Sequence, residues 1–288
     1  MRWRALAIDR PNMSLLWSIV ILIVANAATI STMLLVRRRA PEGSYFTDGD
    51  RASGVFGVLA GGFAIFAGFI IFLAFTSYDE SRSGGETEAL TVVQQFETAE
   101  LLPPAIHPRM TGELVCYARY VVDHEWPQMA EGKGGETINP WAIALFRSLK
   151  AANPTTTAEG NAHSKWLDQT SDREQARSDR LHGAEGIIPT SIWLVLFLIA
   201  AVVFAYMLFF ADSGEGAVSQ AMLMGSATTV IVVTLLAINA LDNPYRDAVG
   251  QIKPVAMERS LRILERERAI VNETTPLRCD SSGAPAAS

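Results

Sequence analysis

Four long apolar runs dominate the pattern of this 288-residue chain. Each run lacks charged side chains over a length that crosses a bilayer of about 30 Å at 1.5 Å per helical residue. The runs are Pro11–Val36, Gly54–Tyr78, Ile187–Ala211 and Gly216–Leu241. Buried helices of soluble proteins rarely reach such lengths four times in one chain, so the pattern predicts four membrane-spanning helices.

The first run has one alternative interpretation, because Ala25-Asn26-Ala27 is similar to the small-residue site at which a signal peptide is cleaved. The apolar residues continue well beyond this site and end at Arg37-Arg38-Arg39. We therefore expect an uncleaved membrane anchor.

The second run combines glycine and phenylalanine in an unusual way. At about 100° per residue, its small residues fall on one face of a helix. These residues are Gly54, Gly57, Gly61, Ala64 and Gly68. A face of this kind lets the backbone of another helix approach closely, so we expect these glycines to pack against a helix of this chain or of a second copy. Phe63 and Phe66 point the other way, and Phe69 begins a spiral back toward the small face.

The rest of the chain reads as helices separated by turn signals. Pro108 opens one helical pattern, which stops near Trp126-Pro127, and Asn139 followed by Pro140 is typical of a capped helix start. A further helix follows Pro254, and the polar tail after Asn272 is expected to be disordered. The sequence thus predicts an all-α polytopic membrane protein with four transmembrane helices and a cytoplasmic helical bundle.

The predicted domains follow from this pattern. Residues 1–78 form an N-terminal transmembrane helix pair, and residues 79–186 form a cytoplasmic helical region. Residues 187–241 form a second transmembrane pair, and residues 242–288 form a cytoplasmic helix with the disordered tail.

Lysine and arginine near the helix ends set the expected orientation, because they accumulate on the cytoplasmic side. With the N-terminus inside, the outer side holds only the arginines at 37, 38, 39 and 51. The inner side then holds Arg2, Arg4, Arg10, Arg82, Arg173, Arg177, Arg180, Arg246, Lys253 and Arg259. We expect a multi-pass plasma membrane protein with both termini in the cytoplasm, although the triple arginine argues the other way.

Composition removes several classes of function. The net charge of −6 gives no reason to expect a nucleic-acid partner. Cys116 and Cys279 fit no metal or redox spacing and are expected to be free thiols, and the four histidines form no zinc motif. We find no nucleophile elbow, phosphate loop or dinucleotide fingerprint, so we expect neither an enzyme nor a cofactor. No aspartate, glutamate, lysine, arginine or histidine lies in the middle of a span, which argues against a proton-coupled transporter.

Three carboxylates stand at the predicted cytoplasmic ends of two spans. Asp79 and Glu80 follow the second run, and Asp242 follows the fourth, just before Asn243-Pro244. Together they could form an acidic rim that collects cations through oxygen ligands. The alternative is local: an Asx-type turn at Asp242 with a surface ion pair to a partner such as Arg82, Arg180 or Arg246.

Several stretches resemble the bestrophin-like domain family, a group of bacterial membrane proteins of unknown function. The stretches are Tyr78-Asp79-Glu80, Val122–Met129, Ile188–Trp193, Leu241–Tyr245 and Ile252–Leu261. The resemblance extends from about Ser14 to Glu267. This chain has Tyr245, Arg246 and Asp247 where the family prefers phenylalanine, a small residue and glycine.

The resemblance implies likeness to bestrophins, which are pentameric anion channels gated by calcium in animals and have wider selectivity in bacteria. It implies that the second span lines a pore in a homo-oligomer, where Phe63, Phe66 and Phe69 would form an apolar neck that gates by dewetting. These side chains could instead face lipid or fill the core of one chain. The leading hypothesis is an oligomeric pathway for inorganic ions. The alternative is a non-conducting scaffold or sensor whose cytoplasmic bundle binds a partner protein.

Overall fold

The computed structural model describes residues 13–134, 138–247 and 250–286. Within these ranges the chain is nearly all helical and contains no sheet, which confirms the all-α prediction. The α-helices are α1 (Met13–Arg37), α2 (Gly49–Ala99), α3 (His107–Tyr120), α4 (Trp126–Ala130), α5 (Pro140–Lys150), α6 (Thr157–His182), α7 (Thr190–Leu208), α8 (Ala217–Asp242) and α9 (Val255–Ile270). Pro11 and the arginines at 2, 4 and 10 lie outside the described residues.

Four helices are long and apolar enough to cross a membrane: α1, α2, α7 and α8. Their mean hydropathy lies between 2.2 and 2.6 over the most apolar window of each. The prediction of four spanning helices is therefore confirmed.

Helix α2 is longer than the sequence indicated. The second apolar run ends at Tyr78, but the helix that contains it continues to Ala99 and is 51 residues long. Gly84 and Gly85 lie within this continuation, and Gly84 has a packing role. A Cβ atom on Gly84 would lie 2.6 Å from the backbone nitrogen of Arg180 in α6, so only glycine allows the two helices to approach this closely.

The chain divides into two compact units. The first contains residues up to Thr76, Ile187–Asp242 and Asp247–Gly250. In this unit α1 packs along α8, and polar side chains connect the two helices. Asn26 Nδ2 donates to Thr229 Oγ1 at 3.2 Å, and the Thr29 and Thr228 hydroxyls lie 2.9 Å apart. Such hydrogen bonds between apolar helices are a common means of association in lipid.

The second unit contains Ser77–Gly186, Asn243–Arg246 and the residues from Gln251 onward. Its core surrounds α3, against which α5 and α9 pack. The predicted start of α5 is confirmed: the Asn139 side chain accepts from Trp141 N at 3.0 Å, and Pro140 occupies the first turn. A capping box of Thr156 and Glu159 begins α6.

A single π-helical turn, Val121–Glu125, joins α3 to α4. Pro127 explains this turn, because it has no N–H to donate and its ring would clash with the carbonyl four residues earlier. The backbone N–H of Trp126 donates to Val121 O, five residues back. The wider turn rotates Glu125 and Trp126 into the core, where both are buried.

The two cysteines form a disulfide, so the prediction of free thiols is wrong. The prediction of a disordered tail also fails for residues 273–286, which pack against α3 and α5. Trp141 Nε1 donates to Gly283 O at 2.6 Å, and Arg119 Nη1 donates to Asp280 O at 3.2 Å. The sequence separation of 163 residues between the cysteines hid this pairing.

Candidate functional site

The open face of α2 is the candidate site in the first unit. We define it as Gly54, Gly57, Val58, Gly61, Ile65, Gly68, Phe69 and Phe72. A Cβ atom added at any of its four glycines would meet no atom of the described chain within 4 Å, beyond its neighbours and its own helix. The larger side chains are exposed as well: Val58 is 75% exposed, Ile65 76%, and Phe69 64%. No helix of the same chain, as far as it is described, covers these glycines.

The three phenylalanines expected at a pore neck occupy different environments. Phe63 is only 6% exposed and belongs to the core of the first unit. Phe66 is partly buried against that core, whereas Phe69 points outward with the open face. Each step of three residues turns about 60° around a helix, so the positions from Phe63 to Phe69 span about 120° and pass from the core to the exposed side of α2.

Asp242 ends α8 and binds the chain just before α7. Its Oδ1 accepts from the backbone N–H groups of Ile187 and Ile188, both at 2.7 Å. Its Oδ2 accepts from Trp193 Nε1 at 3.1 Å. The carboxylate is 6% exposed and satisfies donors next to a helix N-terminus, where a negative charge is favourable.

Asp79 and Glu80 belong to the second unit, and both are exposed. Nothing in their surroundings tests the acidic rim, which stays a prediction. Among the residues that the structure describes, no group of three or more histidine, cysteine, aspartate or glutamate side chains is arranged to hold a metal ion.

The second unit contains a buried charge network that joins three helical segments. Arg180 of α6 donates to Glu88 of α2 through Nε at 2.5 Å and through Nη2 at 3.0 Å. The same Nη2 donates to Glu125 in the π-helical turn at 2.6 Å. All three side chains are fully buried, so each charge depends on the others for compensation.

Neutral and charged neighbours complete the network. Tyr117 OH donates to Glu88 at 2.6 Å, and Asn139 Nδ2 donates to Glu125 at 2.9 Å. Arg177 Nη2 lies 3.4 Å from Glu125. Burial alone would raise the pKa of Glu125, but the charges of Arg180 and Arg177 outweigh it and hold that pKa below its ordinary value. Burial also raises the pKa of Tyr117 well above the usual range, so its hydroxyl stays a donor.

Tyr245 connects the end of α6 to the core of this unit. Its hydroxyl donates to the backbone carbonyl of Arg180 at 2.6 Å, and its ring packs edge-on against Trp126 at 5.8 Å between centroids. The indole of Trp126 in turn donates to Ile252 O at 3.1 Å. The Tyr245 hydroxyl therefore helps to fix the end of α6.

Reasoning from the sequence missed this network. Glu88 and Arg180 are separated by 92 residues, and Arg180 was considered only as a partner for Asp242. The available signal is weak: Glu88 stands beside Ala89 and Val92, which face the core. A lone carboxylate at such a position indicates a buried partner without identifying it.

Comparisons with known proteins agree with one another. The profile of the Bestrophin-like domain matches residues 22–257. Two crystal structures of single-substitution variants of a bacterial bestrophin homologue from Klebsiella pneumoniae are similar in fold. Each is 14% identical to this chain and covers 84% of it, with 98% of its own chain aligned and TM-scores of 0.65 and 0.64. No curated protein matches the sequence. At this identity the structures establish the likeness of fold only.

Proposed function

The chain belongs to the bestrophin-like family. We propose that, like the bestrophins it resembles, it forms an oligomeric ion channel, with the open face of α2 lining the pore. One observation carries the proposal: within the described chain the glycines of this face have open space beside them, and its large apolar side chains are mostly exposed. Glycines on membrane helices are typical of close helix contacts. A second copy of the chain is the partner that a homo-oligomer supplies.

The neck of this pore is formed by outward side chains. Ile65, Phe69 and Phe72 stand on the open face and would recur once per subunit around the symmetry axis. A ring of such residues makes a constriction from which water withdraws when it is narrow. In this arrangement Phe63 packs in the core of each subunit, and Phe66 lies between that core and the open face. The pathway is passive, because the four spans hold no ionisable residue at mid-depth.

The proposed location is the plasma membrane, with both termini in the cytoplasm. Lysine and arginine near the helix ends support this orientation, with the triple arginine after α1 as the opposing feature. Residues 79–186 and 242–288 then lie in the cytoplasm.

Ion flux into liposomes tests the proposal. Phe69→Ala removes an outward ring and should increase flux several-fold, because a wider constriction stays wet. Phe197→Ala is the matched control, since Phe197 of α7 is similarly exposed at 56% but does not belong to the open face. A wild-type protein that carries no small anion or cation, together with a monomeric mass in detergent, would contradict the proposal.

A scaffold or sensor is the second candidate function. Ile143 and Phe146 expose apolar side chains at a three-residue step on α5, which is the spacing of a helical docking face. If this is the function, Phe146→Asp should abolish binding of one stoichiometric partner while liposomes stay silent. Flux with no co-purifying partner would exclude it.

A further inference from the structure

The C-terminal segment, which we define as residues 275–286, is docked onto the second unit around the disulfide. Leu277 packs against the core, and the segment closes on itself through a backbone pair between Asp280 N and Ala284 O at 3.0 Å. Gly283 adopts φ +85°, and a Cβ atom there would lie 2.3 Å from Tyr120 N. The docked conformation is therefore specific, because only glycine satisfies both the dihedral angle and the contact.

Most other contacts of the segment are weak individually. His124 Nε2 lies 3.1 Å from Ser282 Oγ, and Arg268 Nη2 donates to Thr275 O at 2.8 Å. Arg278 approaches Glu113 at 3.8 Å with a side chain that is 62% exposed. Leu277 is the one large apolar residue in an otherwise small and polar segment. Ordering a chain of this composition costs conformational entropy that few contacts offset, so the covalent bond is the main anchor.

The two sulfur atoms differ in access. Cys116 on α3 is fully buried, whereas Cys279 in the segment has 9% of its surface exposed. A thiol from solution therefore reaches Cys279 first, and the sulfur that is attacked is one factor that sets the rate of exchange.

We propose that the C-terminal segment is a redox-controlled clasp, docked when Cys116 and Cys279 are joined and released when they are reduced. The proposal rests on the cytoplasmic position given above, since cytoplasmic disulfides are usually transient or redox-sensing rather than permanent. In this proposal the second unit has two states, and the ratio of thiols to disulfides in the cell decides which state is populated.

The chemistry is ordinary thiol–disulfide exchange. In release, the thiolate of a small cellular thiol attacks Cys279 Sγ, the bond to Cys116 breaks, and the Cys116 thiolate takes up a proton. A second thiol then attacks the mixed disulfide and frees Cys279. Two electrons and two protons enter the cysteine pair, and two small thiols leave as one small disulfide. Docking is the reverse, with a small-molecule disulfide as the oxidant.

Hydrogen exchange of the full-length protein in detergent tests the clasp. We expect the amides of Asp280, Ala284 and Ala286, each hydrogen-bonded in the docked segment, to exchange at least about tenfold faster after treatment with a dithiol. Cys279→Ser and Cys279→Ala should exchange fast with and without the dithiol. These two variants spare the fully buried Cys116, so that loss of folding does not imitate release. Equal protection before and after reduction would overturn the proposal.

The thiol state in cells provides the second arm, read by the gel shift of a maleimide polymer. The proposal expects free thiols in unstressed cells and a disulfide after brief treatment with a thiol oxidant. A disulfide that is already complete in unstressed cells would overturn the clasp and place the second unit in an oxidising compartment. Neither arm depends on ion flux, so a silent channel leaves the clasp standing and a failed clasp leaves the channel standing.

Discussion

Removal of Arg180 should destabilise the second unit severely. Its guanidinium contacts Glu88 and Glu125, and all three side chains are fully buried. In Arg180→Leu, Glu125 keeps Asn139 and Arg177, whereas Glu88, within the described part of the chain, keeps only the hydroxyl of Tyr117. The main effect of the substitution is that the buried carboxylate of Glu88 loses the positive charge that compensates it. Breaking one buried ion pair by removing a partner costs about 3–5 kcal/mol, and we expect a loss of that size.

Urea unfolding in mild detergent, followed by tryptophan fluorescence, measures this loss. The guanidinium of Arg180 lies 5.1 Å from the ring of Trp126, so the emission reports directly on the network. Arg82→Leu is the matched control, because Arg82 forms an exposed ion pair with Glu86 on α2 and its removal should leave the unfolding midpoint unchanged.

A double variant separates the loss of charge compensation from the loss of packing. Glu88→Leu in the Arg180→Leu background removes the uncompensated carboxylate, so it should restore part of the stability lost by Arg180→Leu alone. A single variant within about 1 kcal/mol of the wild type, or a double variant less stable than the single, would refute the reasoning.

Three further predictions concern other positions. Gly84→Ala should destabilise the protein by about 1–3 kcal/mol because its Cβ meets backbone atoms of α6. Gly160→Ala, with open space around it in α6, should stabilise by up to about 1 kcal/mol in the same unfolding assay. The pKa of Glu125 is lower in the folded protein than the ordinary value of 4.5. Its contribution to stability is therefore complete above pH 4.5 and is lost as the pH falls through the pKa of the folded state. The urea midpoint of Glu125→Gln should consequently change less on acidification than that of the wild type. Asp242→Ala leaves three donors without their acceptor and should cost about 1–3 kcal/mol, with the milder Asp242→Asn as its comparison.

Much of the fold could be predicted because it depends on patterns that are local in sequence. The length of the uncharged apolar runs predicts the four spanning helices, and Asn139 followed by Pro140 predicts the start of α5. The spacing of glycines gives a small face on α2 without any knowledge of its neighbours. Whether another copy of the chain, water or lipid covers that face cannot be predicted from a local pattern.

The features that were missed depend on distant residues. The disulfide joins positions 163 apart, and the ion pair between Glu88 and Arg180 joins positions 92 apart. The packing role of Gly84 also depends on a distant element: glycine within a helical pattern is compatible with a break or with a close approach, and the position of α6 decides between them. Burial of Phe63 likewise depends on how α2 is rotated within the first unit.

Water access along α2 tests the central claim most directly. Single cysteines, placed in a chain freed of its own two, are treated in the membrane with a charged thiol reagent. The channel account predicts fast reaction at the outward positions Val58, Ile65 and Phe69 and slow reaction at the inward positions Phe63 and Ala67. Uniformly slow reaction at all five positions would mean that α2 faces lipid or protein throughout, and would contradict the account.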